Sequence, residues 1–226
     1  WDFGTWNFPV IIDNMMNLDL LFNVAKATGD HKYKDIAIKH AMTTMNNHFR
    51  SDYTCWHVVS YNNDGTVERK QTHQGKNDDS SWARGQAWAV YGYTACYRET
   101  NDSTFLNFAI KVADMIMERV KTDDAIPYWD YDAPVTEETP RDASAASVTA
   151  SALIELSTMV PDGKKYLDYA EKILKSLSSD AYLAKVGDNQ GFILMHSVGS
   201  LPNGSEIDTP LNYADYYYLE ALKRFM

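Results

Sequence analysis

Three segments of the chain share one pattern: an apolar helix, a short polar turn, and an aromatic residue that opens a second helix. In each second helix an alanine follows the aromatic residue by four positions, and a lysine follows the alanine by two. The members are Tyr33, Ala37 and Lys39 in the first segment, Phe105, Ala109 and Lys111 in the second, and Tyr166, Ala170 and Lys172 in the third. This regularity predicts repeated helical hairpins joined by long, variable loops. A further apolar pattern from Leu211 to Phe225 predicts a seventh helix.

The two members of each hairpin differ in composition. First members, such as 80–100 and 143–159, are rich in small residues and tryptophan, which predicts an inner layer of closely packed helices. Second members, such as 102–121 and 164–178, carry charged residues on one face and apolar residues on the other, as expected for an outer layer. We therefore expect an all-α toroid, with residues 1–226 in one domain. The loops that enter its inner helices should meet at one mouth, where we expect the functional site.

Composition excludes several classes of function. The formal net charge of −10 argues against non-specific binding to nucleic acid or to an anionic membrane. We see no apolar run long enough for a membrane span and no signal peptide, and because the sequence begins at Trp1 we expect it to be the interior of a longer gene product. Two cysteines, Cys55 and Cys96, are too few for a disulfide scaffold and leave the redox compartment undecided. Neither a metal-binding spacing nor a phosphate loop nor a nucleophile elbow is found, so we expect no cofactor and no metal.

The segment 78–88, with the sequence DDSSWARGQAW, brings an acid pair, two indoles and a guanidinium to one predicted helix start. Aromatic faces beside a fixed guanidinium suit a sugar ring that carries a carboxylate. Trp82, Arg84 and Trp88 are therefore candidate substrate-binding residues. The same spacing is also typical of an N-capped helix whose tryptophan side chains fill the core.

Asp13 follows the apolar run Val10 to Ile12 and stands at a predicted helix start. One interpretation is a structural N-cap, which would lower the pKa of the carboxyl. The other is a carboxyl whose pKa is raised by desolvation, so that it still carries a proton near neutral pH. The two interpretations predict opposite shifts.

Other candidates lie in the remaining loops at the mouth. His73 and Gln74 precede a glycine that allows a tight turn, and they indicate either a shared pocket or an ordinary surface loop. Trp129 belongs to an aromatic and acidic loop typical of carbohydrate contact, although the flanking prolines also fit a packed turn. We include His196 among the substrate-binding candidates, although its pattern fits no single role. Asp142 is interpreted as an N-cap without a part in the chemistry.

Taken together, these motifs resemble the unsaturated glucuronyl hydrolases of glycoside hydrolase family 88. The matching segments are FPVIIDNMMNL at 8–18, HQG at 73–75, DSSWARGQAW at 79–88, PYWDYD at 127–132, DASAA at 142–146 and YADYYYLEAL at 213–222. The resemblance implies an (α/α)6 barrel and removal of a 4,5-unsaturated uronic acid from the non-reducing end of oligosaccharides left by polysaccharide lyases. It also implies a uronic-acid oligosaccharide as the partner, and a bacterial periplasm or cytoplasm as the location, of which we favour the periplasm.

The resemblance also assigns roles to individual residues. Asp13 matches the general acid/base. Five further residues match substrate-binding residues of the family. His73 and Gln74 match residues of the uronate subsite, and Trp82 and Trp88 match its aromatic walls. Arg84 matches the arginine beside the substrate carboxylate. The implied chemistry is hydration: Asp13 protonates C4 of the double bond, water adds at C5, and the aglycone leaves.

One departure from the family pattern concerns a second essential aspartate, which lies in an earlier His-Asp motif. Asp2 is too close to Asp13 to be that residue. The resemblance therefore implies that the chain holds the C-terminal two thirds of a barrel, without the N-terminal hairpins, and leaves open whether it is active alone. The alternatives are an unsaturated rhamnogalacturonyl hydrolase and a non-catalytic carbohydrate-binding fragment.

Overall fold

The computed structural model describes residues 6–226. Predictions that involve positions 1–4, including the exclusion of Asp2, lie outside this range. The described chain forms seven α-helices and three short strands, with a 3₁₀ turn at Asn189–Gly191. In chain order the elements are β1 (Phe8–Ile11), α1 (Asn14–Thr28), α2 (Lys32–Asn47), β2 (Val58–Tyr61), β3 (Val67–Gln71), α3 (Ala83–Thr100), α4 (Ser103–Arg119), α5 (Ala143–Ser157), α6 (Lys164–Leu177) and α7 (Asn212–Phe225).

The three predicted repeats are helical hairpins, formed by α1 and α2, α3 and α4, and α5 and α6. The alanines of the repeat, Ala37, Ala109 and Ala170, are all fully buried. A methyl group at these positions lets each outer helix approach its inner neighbour closely, which explains the regular spacing. In the second hairpin Asn101 ends α3 in the left-handed conformation, and Asp102 caps α4 by accepting a hydrogen bond from the next turn. The hairpins predicted from the sequence are confirmed.

The predicted division into layers is also confirmed. Helices α3 and α5 are buried around most of their circumference, whereas α4 and α6 bury one face and expose the other. Close packing between inner helices is clearest at Gly92 of α3, where an added Cβ would lie 2.5 Å from the Cβ of Met15 in α1. A glycine is therefore required where these two helices cross.

Ion pairs on the inner helices show their order. Arg98 of α3 contacts Asp19 of α1 at 2.7 Å and Glu155 of α5 at 2.8 Å. Arg224 of α7 contacts the same Glu155 at 3.0 Å. The inner helices thus follow one another as α1, α3, α5 and α7, with the outer helices α2, α4 and α6 behind them.

A small sheet was not predicted, and in this respect the all-α expectation is incomplete. Strand β1 pairs with β2, and β2 pairs with β3, in an antiparallel order β1-β2-β3. The apolar run that begins at Val10 leads into a predicted helix, but in the structure its first residues belong to a strand, and Val10 pairs with Val59. The partner strand is remote in sequence, so no local pattern indicates the pairing. The sheet matters because Asp13 follows the last residue of β1 by two positions.

Both ends of the row of inner helices expose apolar side chains. Leu20 of α1 is 66% exposed, and Tyr216 and Leu219 of α7 are 60% and 51% exposed. Exposed apolar groups of this size at the two ends agree with a row that needs further neighbours. That residues 1–226 form one domain amounting to two thirds of a barrel stays a prediction. Within residues 6–226, no helix combines the length and apolarity that crossing a bilayer requires.

Candidate active site

Asp13 lies between β1 and α1, at the mouth formed by the loops that enter the inner helices. It precedes α1 as an N-cap residue would, but its side chain accepts no capping hydrogen bond. The interpretation of the Asp13 side chain as an N-cap is therefore wrong, because its carboxylate caps no amide of α1. The backbone at this point is fixed from the other side, because the amide of Ile12 donates to the carbonyl oxygen of His57 at 2.9 Å.

The carboxyl of Asp13 is only partly accessible. Its side chain is 30% exposed, but Oδ2 is buried and has no hydrogen-bond donor in the part of the chain that the structure describes. Burial raises the pKa of Asp13 to about 6, and the positive charge of Arg84 and weaker polar interactions, including one with the indole of Trp88, offset part of that rise. The raised pKa is the shift expected of a carboxyl that donates a proton.

His57, which the sequence reasoning missed, is the nearest basic side chain described beside Asp13. Its Nε2 lies 3.8 Å from Oδ2 of Asp13. Its Nδ1 accepts hydrogen bonds from the backbone amides of His73 at 3.2 Å and Gln74 at 3.1 Å. Since Nδ1 is an acceptor, the neutral ring carries its proton on Nε2, toward Asp13. Burial holds the pKa of His57 well below its usual value, so the ring is neutral near pH 7.

His73 and Gln74 both lie near Asp13, because their backbone amides contact His57, and their part in substrate binding stays a prediction. Besides their amide contacts with His57, the side chain of Gln74 donates to the carbonyl oxygen of Gly199 at 2.9 Å. The side chain of Asn203 lies 3.4 Å from both the carbonyl oxygen and Nε2 of His73. The loop before α3 and the loop before α7 are thus joined beside Asp13.

Trp82 and Arg84 form a stack with His57. The rings of His57 and Trp82 are 4.4 Å apart, and the Arg84 guanidinium carbon lies 4.5 Å from the Trp82 ring. Trp82 is almost completely buried, so its ring packs mainly against protein groups. Arg84 is buried as well and forms an ion pair with Asp142 at 3.2 Å. The stack connects the predicted sugar-binding residues to one another, and their contact with a substrate stays a prediction.

Trp88 lies one turn further along α3. Its ring centroid is 6.0 Å from that of Tyr213 and 5.6 Å from that of Tyr217. Tyr213 is half-buried and lies 5.3 Å from the Arg84 guanidinium carbon. Tyr213 therefore belongs to the same aromatic group, although the sequence reasoning noted it only as part of a family motif.

Trp129 and His196 are placed differently from the other candidates. Trp129 is buried, and its carbonyl oxygen accepts a hydrogen bond from the amide of Ala83, which holds the loop against the start of α3. His196 pairs with Asp208 at 2.6 Å, and its carbonyl oxygen accepts a hydrogen bond from Ala143 at the start of α5. None of the contacts described for these two residues reaches Asp13, and their predicted roles in substrate binding stay untested.

Asp142 caps α5 as predicted, by accepting hydrogen bonds from Ser144 and Ala145. It also forms an ion pair with Arg84, which its interpretation as a cap does not predict.

A cleft of about 520 Å³ lies elsewhere, between β1, α2 and the turn after β2, and contains none of the candidate residues. Across residues 6–226, no group of three or more His, Cys, Asp or Glu side chains is placed to hold a metal ion.

Comparison with known proteins identifies the family of this chain. A family model described as Glycosyl Hydrolase Family 88 matches residues 2–225. The chain belongs to glycoside hydrolase family 88. An unsaturated glucuronyl hydrolase from Formosa agariphila is 51% identical over 228 residues, a match that covers 99% of this chain and 57% of that protein.

Solved structures of family 88 members confirm the fold class. The structure of an unsaturated glucuronyl hydrolase specific for heparin matches with a TM-score of 0.97 and 57% identity, over 100% of this chain and 61% of that one. A mutant of the unsaturated glucuronyl hydrolase from Streptococcus agalactiae, in complex with dGlcA-GalNAc6S, matches with a TM-score of 0.85 and 32% identity, over 95% of this chain and 58% of that one. The family 88 chain described here thus has the α/α-barrel architecture, and it spans less than two thirds of the length of these relatives.

Proposed function

We propose that the complete protein is a glycoside hydrolase that releases a 4,5-unsaturated uronic acid from the non-reducing end of lyase-generated oligosaccharides. The observation that carries this proposal is the carboxyl of Asp13, whose pKa is raised to about 6 by burial at the mouth of the helices. A carboxyl with such a pKa remains partly protonated near neutral pH and can act as a general acid. Membership of family 88 supports the assignment.

The chemical structure of the proposed substrate explains why a protonated carboxyl would be useful in this site. Ordinary glycosidases place two carboxyl groups around the glycosidic oxygen. An unsaturated uronide offers a vinyl ether instead, so the proton goes to carbon. In the proposed reaction Asp13 gives its proton to C4, positive charge develops at C5, and water adds to C5 while its proton returns to the Asp13 carboxylate. The resulting hemiketal opens and the aglycone is released.

The neighbours of Asp13 fit this sequence of steps. His57 is neutral and directs its Nε2 toward the carboxyl of Asp13. A charged histidine would stabilise the carboxylate and lower the pKa of Asp13, and the neutral ring carries no such charge. Arg84 supplies a positive charge that keeps the pKa from rising further. We keep the prediction that a second aspartate, outside the sequence 1–226, sets the protonation of Asp13 in the complete protein. His73, Gln74 and the aromatic groups around Trp88 are the proposed contacts of the uronate ring.

The names of the relatives support glycosaminoglycan products over pectin products as the substrate class. One relative of known structure is described as specific for heparin, and another was solved with dGlcA-GalNAc6S. These descriptions belong to those proteins. For this chain they favour a glucuronyl hydrolase over the rhamnogalacturonyl alternative.

The test uses the complete protein and unsaturated disaccharides prepared with heparin, chondroitin and rhamnogalacturonan lyases. Turnover is followed by loss of the ultraviolet absorbance of the C4=C5 bond. We expect consumption of the glycosaminoglycan products, with a rate that falls as pH rises through about 6 because Asp13 loses its proton. Binding by calorimetry without turnover would instead indicate a carbohydrate-binding protein. Preferential consumption of the rhamnogalacturonan product would indicate the pectin alternative.

A further inference from the structure

Asp130 is fully buried in the loop between α4 and α5. Its Oδ2 accepts hydrogen bonds from the amide of Lys76 at 2.9 Å and from the hydroxyl of Ser80 at 2.7 Å. Its Oδ1 accepts from the amide of Asp132 at 2.9 Å. These three donors are uncharged, and together they satisfy both oxygens of the buried side chain. A carboxylate buried in this way has no surface left to contact a sugar, so its role lies within the protein.

The backbone around Asp130 is fixed against the start of α3. The amide of Ala83 donates to the carbonyl oxygen of Trp129 at 3.0 Å. The amide of Tyr131 donates to the carbonyl oxygen of Ser81, also at 3.0 Å. These two bonds hold Asp130 from both sides. Its carboxylate therefore projects from a fixed base and can set the position of the groups that bind to it.

The two donors to Oδ2 belong to the segment 72–80 before α3, here called the histidine loop. Within the histidine loop the amide of Gly75 donates to the hydroxyl of Thr72 at 2.8 Å. A Cβ atom at Gly75 would lie 2.7 Å from that hydroxyl oxygen and 3.1 Å from Oδ2 of Asp130. The histidine loop thus packs directly on the buried carboxylate, and a glycine is needed at the point of closest approach.

The histidine loop also holds the ring of His57. The amides of His73 and Gln74 both donate to Nδ1 of this ring. Gln74 lies two residues before Lys76, whose amide binds Asp130. The buried carboxylate and the imidazole are therefore joined by the short backbone segment 73–76. As long as the two amides stay in place, Nδ1 is an acceptor and the proton of the neutral ring is on Nε2.

We propose that Asp130 is a positioning residue, which acts through the histidine loop to fix the ring of His57 beside Asp13. That this ring serves a reaction rests on the proposed function, whereas the hydrogen bonds of Asp130 do not depend on it. Loss of the anchor would release the two amides from Nδ1, so that this nitrogen could take a proton. The ring would then adopt the other tautomer or carry a positive charge, which would stabilise the carboxylate of Asp13.

Four ionisable side chains face the ring of His57 from the elements around it. They are Asp13 before α1, His48 after α2, His73 in the histidine loop and Arg84 in α3. The positive charge of Arg84 opposes a charge on the ring, and the carboxylate of Asp13 favours one. The two amides act in the same direction as Arg84, because a protonated Nδ1 cannot accept their hydrogen bonds.

Asp130→Asn tests the carboxylate specifically. Each oxygen of Asp130 accepts a backbone amide, from Lys76 on one side and from Asp132 on the other. In either orientation an asparagine would therefore place its NH2 group against an N–H that cannot turn away. Ser80→Ala is a milder variant, which removes one of the two donors to Oδ2. Asp123→Asn, at an exposed position earlier in the same loop, is the control and should behave as wild type.

The first measurement is made without substrate, by nuclear magnetic resonance of the complete protein with isotopically labelled histidine nitrogens. The ring nitrogen signals distinguish the two neutral tautomers from the charged form, and His57→Phe identifies the signals of His57. Wild type should show the neutral Nε2–H form near pH 7. We expect a mixture of tautomers and protonation at a higher pH in Asp130→Asn, and a smaller change in Ser80→Ala. Amide exchange at residues 73–76 should accelerate roughly ten- to a hundred-fold in Asp130→Asn, the factor that corresponds to losing one hydrogen bond to a charged group.

The second measurement is kcat/KM of the complete protein on the unsaturated disaccharide that it consumes best. We expect Asp130→Asn to lower kcat/KM by about tenfold or more. The fall in rate on the alkaline side should also move to lower pH, because a charged His57 lowers the pKa of Asp13. Partial loss of folded protein would instead reduce the rate by the same factor at each pH and leave the His57 signals unchanged, and that result would overturn the proposal.

Unchanged His57 signals in a folded Asp130→Asn protein would also overturn it, whatever the rate of that variant. If Asp130→Asn fails to fold, the same signals in Ser80→Ala decide the question. If the complete protein turns over no unsaturated disaccharide, the proposed function fails, and the signals of His57 still decide the role of Asp130.

Discussion

Nε2 of His57 lies 3.8 Å from Oδ2 of Asp13, and the backbone of the same histidine accepts the amide of Ile12, the residue before the acid. The side chain and the main chain of His57 thus both face the proposed catalytic carboxyl. Because Nδ1 is occupied by two backbone amides, the ring cannot turn to offer a different nitrogen without breaking those bonds. Asp13 is therefore placed next to a neutral group of fixed orientation.

Asp13→Asn should abolish turnover in the complete protein, because it keeps the shape of the side chain and removes the proton that would go to C4. Folding and binding of the unsaturated disaccharide should be retained. Turnover is measured by the ultraviolet absorbance of the double bond and binding by calorimetry. Asp79→Asn, at an exposed position before α3, is the matched control and should remain active. An Asp13→Asn enzyme with a near-normal rate would refute the assignment.

The raised pKa of Asp13 can be tested without any substrate. Because the folded pKa of about 6 exceeds the ordinary value of 3.8, the folded protein binds this proton more tightly than the unfolded chain does. The stabilising contribution is complete below about pH 4 and is lost as pH rises through about 6. On lowering the pH from 7 to 4, wild type should gain on the order of 2 kcal/mol in the free energy of unfolding relative to Asp13→Asn. Urea titrations of both proteins at each pH measure this, and parallel curves would show an ordinary carboxyl.

Two substitutions of His57 test whether it stabilises the protein as a hydrogen-bond acceptor or only by filling buried space. His57→Phe fills the buried space but leaves the amides of His73 and Gln74 without their acceptor, which should cost about 2 kcal/mol in the free energy of unfolding at pH 7. His57→Asn provides an oxygen close to the position of Nδ1 and should lose less. His31→Phe, at an exposed position, is the control and should change stability little. Greater stability of the Phe variant than of the Asn variant would contradict the acceptor role.

Gly92→Ala should destabilise the protein although alanine is the better helix former. Helix propensity alone favours alanine by about 1 kcal/mol. The new methyl group, however, would lie 2.5 Å from the Cβ of Met15, so α1 and α3 would have to move apart. We expect a net loss of about 1–3 kcal/mol, measured by thermal or urea unfolding. A stabilised variant would show that the two helices are not in close contact.

The 226-residue chain expressed alone should associate or show a low, poorly cooperative melting transition. Its exposed side chains on α1 and α7 present apolar surface at both ends of the row of inner helices. Leu20→Lys combined with Leu219→Lys should reduce the association, as measured by sedimentation or light scattering. Val186→Lys, at a fully exposed position in the loop after α6, is the control and should not. A monodisperse, cooperatively melting and fully active wild-type chain would refute the expectation that the chain is incomplete.

The hairpins could be predicted from the sequence because their signal is local and repeated. The alanines at positions 37, 109 and 170 are buried in the same way in each hairpin, and each aromatic–alanine pair lies within one helix. The gathering of loops at one mouth follows from that repetition, since every loop that enters an inner helix lies at the same end. The position of Asp13 among these loops could therefore be predicted together with the fold.

The partners of the candidate residues could not be predicted in the same way. His57 comes immediately before the buried strand β2, where an isolated histidine in an apolar context gives no signal of a role. The contact between Arg84 and Asp142 joins residues 58 positions apart, and a capping aspartate gives no local sign that it also binds a guanidinium. Both contacts depend on tertiary packing, which the spacing of residues does not encode.

The pairing of β1 with β2 has a consequence for how the protein is made. The strand before Asp13 is complete only when residues 58–61 have reached it, and these residues follow the whole first hairpin in the chain. Contacts between such distant segments form after local ones during folding, because a long loop has to close first. On the ribosome the helices α1 and α2 can form as soon as they emerge, but the acid reaches its final environment only after the second strand is synthesised. The environment of the proposed catalytic carboxyl is therefore completed after the first helical hairpin and not together with it.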